Sequence, residues 1–270
     1  MSNEDTEVDE AFGFSDEIGR LYRYRSLAGD FGRATAENIL LENRMWWASP
    51  VDFNDPMDCR PNLIFGRNAR DRQRWARRAT TNQLQDNPKY ERRRAERALL
   101  AVGADHHRQN AIAGFQQWME ESAVCCFSTV PDNLLMWSHY GDQHRGVVFI
   151  FEERMEPTPF IAFDVFYSAV RPEVDITTIR DEGGMAMQRS VLTKSSDWAY
   201  EFEKRMLDYR GTPGFREFPP EVLKGVVLGA RISVEDEEFI RDLLVQRGSP
   251  AEIYKAELSS TEFTLNLIAS

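Results

Sequence analysis

The chain has 270 residues, 42% of them hydrophobic, and a formal net charge of −11 at pH 7, so it can bury a sizeable core as one large domain or one domain with an insertion. No apolar run approaches the roughly 20 residues that span a bilayer, and the acidic N-terminus, residues 1–19, lacks the basic and apolar regions of a signal peptide. We therefore expect a cytoplasmic protein without membrane contact that begins with a flexible acidic tail, and three cysteines without zinc-like spacing predict no metal site.

The first predicted strand alternates tyrosine with arginine. On a strand, Tyr22 and Tyr24 share one face, and Arg23 and Arg25 share the other. An arginine that projects from a strand into a cleft is well suited to bind phosphate or carboxylate through its planar fork. The alternative is an edge strand whose arginines are solvated.

A short helix over Thr35–Glu42, with Thr35 as its N-cap, and a strand over Arg44–Ala48 follow. The next segment, Ser49–Pro56, is rich in proline and Asx residues and predicts a rigid turn. Its side-chain acceptors are Asp52, Asn54 and Asp55. Because it lacks a glycine at a sharp bend, the turn does not have the pattern of a calcium loop. Its side chains either cap their own backbone or orient a ligand ribose.

A basic region interrupts the strand pattern. From Arg67 to Arg108 there are twelve Lys or Arg against five Asp or Glu, a local charge of +7, so the rest of the chain carries −18. Residues 67–121 lack strand-like runs and predict an all-helical insertion, broken at Pro88. Arginines at three- to four-residue spacing predict a positive stripe: Arg67, Arg70, Arg74, Arg77 and Arg78, continued by Arg92, Arg93, Arg94 and Arg97. The stripe is a docking surface for nucleic acid or an acidic protein, or else a solvated face that pairs with the acidic body.

An unusual polar and aromatic segment follows the insertion. Trp137, Ser138, His139 and Tyr140 lie between two apolar runs that predict buried strands, and Ser128 ends the first of these runs. Apolar walls with a few aimed polar groups are typical of a small-molecule site. The alternative is that the aromatic residues belong to the core and the histidine donates to a backbone carbonyl.

The C-terminal half predicts short strands and two helices. In chain order these are a strand over Phe160–Tyr167, a helix over Val191–Tyr209, a strand over Val226–Gly229, an amphipathic helix over Val234–Arg247 ended by Gly248, and strands over Ile253–Leu258 and Glu262–Ile268. Helices and strands that do not alternate regularly predict an α+β fold. We expect a body of residues 20–66 and 122–270 that carries the helical insertion.

On the predicted helix over Val191–Tyr209, Glu201 and Arg205 are spaced as an i,i+4 salt bridge. Alternatively, Glu201 or Glu203 lies beside aromatic residues with a raised pKa, or stabilises a developing cation.

These segments together resemble a bacterial family known as domain of unknown function 2971. The matching segments are Leu21–Arg25, Ile39–Leu40, Trp47–Pro56, Cys126–Ser128, Leu135–Tyr140, Gly146–Val147, Trp198–Arg205 and Val227–Gly229. The resemblance covers about residues 20–268, and Lys204 departs from it where an aromatic residue is expected. It implies no particular reaction, although some relatives look like components of phage-defence or toxin systems.

A second resemblance, at the level of the fold, is to ADP-ribosyltransferases. A strand with an arginine, a short helix, a strand with a serine and a late glutamate look like the arrangement of that fold. The resemblance implies small mixed or antiparallel sheets around a cleft that takes NAD as substrate. Arg25 then binds the pyrophosphate, Tyr140 or Trp137 stacks on nicotinamide, and Glu203 or Glu201 holds the ribose hydroxyl.

We therefore expect one cleft to collect all candidate residues. The catalytic candidates are Glu203, Glu201 and His139, and the binding candidates are Tyr22, Arg25, Ser49, Asn54, Asp55, Ser128, Trp137 and Tyr140. The expected activity is an NAD-consuming transferase or glycohydrolase. The competing hypothesis is a non-catalytic module that recognises a nucleotide or a partner. A phosphodiesterase or nuclease is disfavoured, because only His139 and His144 supply imidazoles near the cluster.

Overall fold

The computed structural model describes residues 19–179, 185–209 and 211–270, and the predicted acidic tail lies outside them except for Gly19. The chain folds as a mixed α+β structure, which confirms the predicted fold class. One eight-stranded sheet is accompanied by three two-stranded sheets. Within the described ranges, no helix combines the length and the apolar character that crossing a membrane requires.

The strands are, in chain order, β1 (Arg20–Arg25), β2 (Arg44–Trp47), β3 (Asn62–Ile64), β4 (Ala123–Ser128), β5 (Val147–Glu152), β6 (Phe163–Asp164), β7 (Phe166–Ser168), β8 (Glu173–Asp175), β9 (Thr193–Ser195), β10 (Glu203–Asp208), β11 (Gly214–Glu217), β12 (Leu223–Leu228), β13 (Glu252–Leu258) and β14 (Leu265–Ala269). The helices are α1 (Gly29–Leu40), α2 (Ala69–Gln83), α3 (Lys89–Ala101), α4 (Ala104–Glu120), α5 (Leu134–His139), α6 (Met185–Val191) and α7 (Val234–Arg247). Short 3-10 turns at Pro50–Asp52, Ser196–Glu201 and Pro220–Val222 connect some of these elements.

The large sheet opens at its centre. Its strand order is β14-β13-β12-β5-β1-β4-β10-β6. Strand β1 pairs with β5 along its whole length, and β4 pairs with β10 along its whole length. Between β1 and β4, however, the ladder contains only the pair Tyr22–Ser128. The two halves of the sheet therefore separate beyond this pair and leave a gap.

Helices α1 and α7 cover one face of the sheet. Ala36, Ile39 and Leu40 of α1 are buried, as their spacing predicts. The helix begins at Gly29 rather than Thr35, whose hydroxyl donates to the carbonyl of Phe31 inside the helix. The first turn of α1 packs closely on the preceding chain and requires glycine at position 32, because a Cβ there would lie 2.6 Å from the Leu27 backbone. The ends of α7 are as predicted, and a left-handed Gly248 follows its last residue.

Residues 69–120 are occupied by α2, α3 and α4. Helices α2 and α3 pack on each other and are joined through the segment that contains Pro88. Two arginines tie this pair to the body: Arg67 bonds Glu173 at 2.8 Å, and Arg78 donates to the carbonyl of Thr177 at 2.6 Å.

The helix predicted over Val191–Tyr209 is wrong. Helix α6 ends at Val191, and β9, a 3-10 turn and β10 follow it. The turn ends at Phe202, whose φ of 46° is left-handed and breaks any continuous helix. The strand period places the buried side chains of Glu203 and Arg205 on one face, where a helix would direct them apart. The predicted i,i+4 pair between Glu201 and Arg205 is therefore absent from the described hydrogen bonds of Arg205.

Candidate functional site

A cavity of about 240 Å³ lies where β1 and β4 separate. Its lining comes from β1, the end of β4, the turn after β2, Tyr140 after α5, and the segment from β9 to β10. The volume falls just below the about 300–1,000 Å³ that is typical of ligand pockets, so the cavity holds part of a ligand rather than all of a large one.

The wall formed by β1 is basic. Arg23, which is 5% exposed, donates to the carbonyls of Cys126 at 3.1 Å and Trp46 at 2.8 Å, and its Nε atom has no hydrogen-bond partner. Arg25 donates to the carbonyl of Tyr24 at 3.0 Å. Among the described residues, neither arginine forms a salt bridge. Burial, together with the charge of Arg23, lowers the pKa of Arg25 to about 9. A bound anion would relieve both effects.

The other wall contains Glu201, which is 3% exposed. One of its oxygens accepts a hydrogen bond from the hydroxyl of Tyr140 at 2.7 Å, and the other is paired with Lys194. Asn54 donates to the same Tyr140 hydroxyl at 3.0 Å. Burial raises the pKa of Glu201, against the opposing effect of the Lys194 charge. Burial thus favours the protonated form of the Glu201 carboxyl group, and the Lys194 charge favours the ionised form.

A buried ion network underlies this wall. Arg205 is fully buried and bonds both oxygens of Glu203, at 2.8 and 3.0 Å, and both oxygens of Asp58, at 3.1 and 2.7 Å. Lys194 lies 3.0 Å from Glu203 and 3.6 Å from Asp58. Although burial disfavours its charge, Arg205 and Lys194 hold the pKa of Glu203 down at about 2. With Glu201, three carboxylates therefore share two cations.

Seven of the expected residues line the cavity: Tyr22, Arg25, Asn54, Ser128, Tyr140, Glu201 and Glu203. They come from five separate segments of the sequence. Ser128 has a supporting contact, because its hydroxyl donates to the carbonyl of Glu201 at 2.7 Å and so holds the turn against β4.

Four expected residues do not line the cavity. Ser49 is buried and caps the 3-10 turn at the amide of Val51, while its hydroxyl donates to the carbonyl of Met119. Asp55 accepts a bond from the amide of Met57, so it stabilises its own turn.

The two remaining residues belong to helix α5. Trp137 is fully buried, donates to the carbonyl of Pro131 and packs edge-on against Tyr24, so the structure assigns it to the core. His139 is exposed and its Nδ1 lies 2.9 Å from the hydroxyl of Tyr200. Neighbouring positions on a helix point about 100° apart, which explains why Tyr140 reaches the cavity and His139 does not.

Sequence reasoning missed three lining residues of consequence: Arg23, Asp58 and Lys194. Arg23 was detectable, because it shares a strand face with Arg25. Asp58 carries no local pattern, since its partners Lys194 and Arg205 lie more than 130 positions away in the sequence. Lys194 pairs with Glu201 and Glu203 through the strand–turn–strand segment that the sequence reasoning took for a helix.

Within the described residues, no group of three or more His, Cys, Asp or Glu side chains is arranged to hold a metal ion. Comparison with curated proteins and with solved structures found no match. The model of one family, described as "Protein of unknown function (DUF2971)", matches residues 136–206. That segment is about a quarter of the chain and includes Tyr140, Lys194, Glu201 and Glu203, but not the basic wall. The chain is therefore similar to this family over residues 136–206, the part that supplies the acidic wall.

Proposed function

We propose that this protein is an enzyme that binds NAD between β1 and β4 and breaks its bond to nicotinamide, as an ADP-ribosyltransferase or a glycohydrolase. One observation carries the proposal: two arginines that bond no carboxylate of the described chain and a buried glutamate line the same cavity. A nucleotide presents the complementary groups, an anionic phosphate and a sugar. The resemblance of the sequence to the ADP-ribosyltransferase arrangement supports the same assignment.

The basic wall suits the pyrophosphate. Within the described ranges the Arg25 guanidinium has one protein acceptor, the carbonyl of Tyr24, so it can donate two parallel hydrogen bonds to phosphate oxygens. Its burial next to Arg23 is unfavourable in the absence of an anion, and an anion that enters the cavity would stabilise both charges.

The acidic wall suits the sugar. When the glycosidic bond breaks, its electron pair leaves with nicotinamide and the ribose becomes an oxocarbenium-like cation. The carboxylate of Glu201 stabilises that cation until water, or an acceptor group, bonds to the same carbon and releases a proton. Among the described contacts of Glu201, one oxygen is bonded by Tyr140 and the other is paired with Lys194. A carboxylate oxygen can accept a further hydrogen bond, here from a ribose hydroxyl.

Glu203 has a different role in this proposal. Both of its oxygens are bonded by Arg205, and one also pairs with Lys194. It is therefore a positioning residue that holds Lys194 beside Glu201.

Release of nicotinamide from NAD tests the proposal. The wild-type protein should release nicotinamide, and Glu201→Gln should lower the rate about 100- to 1,000-fold, the usual effect of removing one electrostatic stabiliser. Glu257→Gln, at an exposed position of β13, is the matched control and should leave the rate unchanged. Absence of turnover by the wild type, with and without a macromolecular acceptor, would contradict a catalytic role.

A non-catalytic nucleotide-binding or sensor module is the second candidate. The direct pairing of Lys194 with Glu201 favours it, because this ion pair reduces the negative charge that the carboxylate can direct at a cation. In that case calorimetry should detect binding of ADP-ribose that Arg25→Gln weakens, while NAD remains intact.

A role in phage defence or as a toxin rests on the sequence resemblance. If NAD consumption serves that role, expression of the wild-type protein should arrest bacterial growth and deplete NAD. Glu201→Gln should restore growth, and an arrest that persists in this variant at an unchanged NAD level would contradict the link.

A further inference from the structure

The paired helices α2 and α3, called here the basic hairpin, expose several arginines that form no salt bridge within the described part of the chain. Arg70 and Arg77 of α2 and Arg93, Arg94 and Arg97 of α3 are exposed. Among the described residues, none of these five forms a salt bridge. Arg74 lies 3.4 Å from Asp71 of the same helix, and the Arg74 side chain is 63% exposed.

Not every arginine of the predicted stripe belongs to this surface. Arg67 pairs with Glu173, and Arg78 is half-buried and donates to the carbonyl of Thr177. These two residues attach the hairpin to the body. Variants of Arg78 would therefore report on folding as well as on binding, and they are unsuitable as a test of the surface.

An exposed aromatic ring lies on α3 of the basic hairpin. Tyr90 is 68% exposed. Arg93, Arg94 and Arg97 follow it at the i+3, i+4 and i+7 positions of α3, so the four side chains share one helix face. The Tyr90 hydroxyl donates to Glu91 at 3.0 Å.

We infer that the basic hairpin binds single-stranded nucleic acid. Exposed guanidiniums neutralise phosphates, and the exposed ring of Tyr90, one helical turn before Arg93 and Arg94, can stack on an unpaired base. A base inside a duplex does not offer its face in this way, and an acidic peptide has no base to stack. The negative body does not prevent binding, since at physiological salt charges are screened over about 8 Å. This activity is independent of the proposed reaction in the cavity.

The charge requirement can be tested by a salt titration with fluorescent oligo-dT and oligo-U. We expect binding at about 50 mM salt that weakens steeply as salt rises. Arg77→Gln, Arg93→Gln and Arg97→Gln combined should reduce the salt slope by about 2, since each phosphate contact in a single strand contributes about 0.7. The matched control combines Arg145→Gln, Arg171→Gln and Arg231→Gln, which removes the same charge from exposed positions elsewhere.

The outcome of this comparison is unambiguous. Binding that is absent at low salt, or lost equally in both triple variants, overturns the inference. Unfolding curves of both triple variants show whether each is folded. The variant that combines Arg77→Lys, Arg93→Lys and Arg97→Lys retains the charge and should still bind the oligonucleotides.

The stacking requirement separates a single strand from other polyanions. Tyr90→Ala should weaken oligo-dT binding by about five- to a hundredfold, whereas Tyr90→Phe should retain it, because the ring and not the hydroxyl stacks. Equal affinity for the oligonucleotides, for duplex DNA and for polyglutamate, with no effect of Tyr90→Ala, would show a general anion surface and overturn the inference. Nicotinamide release should be unchanged in all hairpin variants.

Discussion

The buried ion network beneath the cavity and the basic hairpin both contain many charged residues, but the two regions differ in how far these residues are buried and paired. In the network, Arg205 is fully buried and has two carboxylate partners. On the hairpin, Arg93 and Arg97 are exposed and form no salt bridge with any residue that the structure describes. Removing an ion from water costs several kcal/mol, so the fold must pair each buried charge, whereas an exposed charge carries no such requirement. On the β1 wall, the buried Arg23 has backbone carbonyls, and no carboxylate, among the acceptors that the described residues supply.

The largest expected effect concerns the network. Arg205→Met should lower the free energy of unfolding by about 3–5 kcal/mol, because Asp58 and Glu203 would remain buried without their main partner. Urea unfolding measures this change. A loss below about 1 kcal/mol would mean that water or Lys194 compensates, and that the two regions differ less than their burial implies.

The pH dependence of stability should also reflect the network. Because the folded pKa of Glu203, about 2, is below its value of about 4.5 in the unfolded chain, its contribution is complete above pH 4.5 and is lost as the pH falls through 2. The loss should reach about 3 kcal/mol. Urea unfolding from pH 7 to pH 2 measures it.

Two variants sharpen the pH experiment. Glu203→Gln should remove this decline in stability, and Arg97→Gln should preserve it, because arginine does not titrate in this range. Glu201 acts with the opposite sign: its raised pKa means that the folded state binds a proton first, so its contribution improves as the pH falls towards the unfolded value. An identical decline in Glu203→Gln would contradict the assignment to Glu203.

A smaller effect is expected at the edge of the network. Tyr140→Phe removes the hydroxyl that donates to Glu201 and should cost about 1–3 kcal/mol of stability. It should also raise the pKa of Glu201 further, so the pH profile of nicotinamide release should move to higher pH. Tyr200→Phe, whose hydroxyl contacts the exposed His139, is the matched control and should leave the profile in place.

The smallest effect is expected on the hairpin, and its sign is reversed. Arg93 and Arg97 are like charges at i,i+4 of α3, so Arg97→Gln should raise stability by a few tenths of a kcal/mol at low salt. High salt should abolish the gain, because it screens the repulsion. A loss of more than about 1 kcal/mol would show that Arg97 has a stabilising partner in the folded protein.

Local sequence patterns predicted the elements that periodicity and end signals specify. The alternation of Tyr22 to Arg25 predicted a strand and the face that each side chain takes, and Gly248 predicted the C-terminal end of α7. The turn after β2 was also predicted, although its acceptors divide between capping, as at Asp55, and the cavity, as at Asn54. Such patterns succeed because they depend on the backbone and on nearest neighbours.

The chain from Lys194 to Arg205 shows where sequence reasoning ended. Its composition favours a helix with an i,i+4 salt bridge, but the structure contains two strands around a turn. The sequence alone determined the fold class, the faces of β1 and the charge of the basic hairpin, since these follow from composition and period. The tertiary structure decided which charges are buried together, because the partners of Lys194 and Arg205 include Asp58, far away in the sequence, and the cost of burying an unpaired charge exceeds any local helix preference.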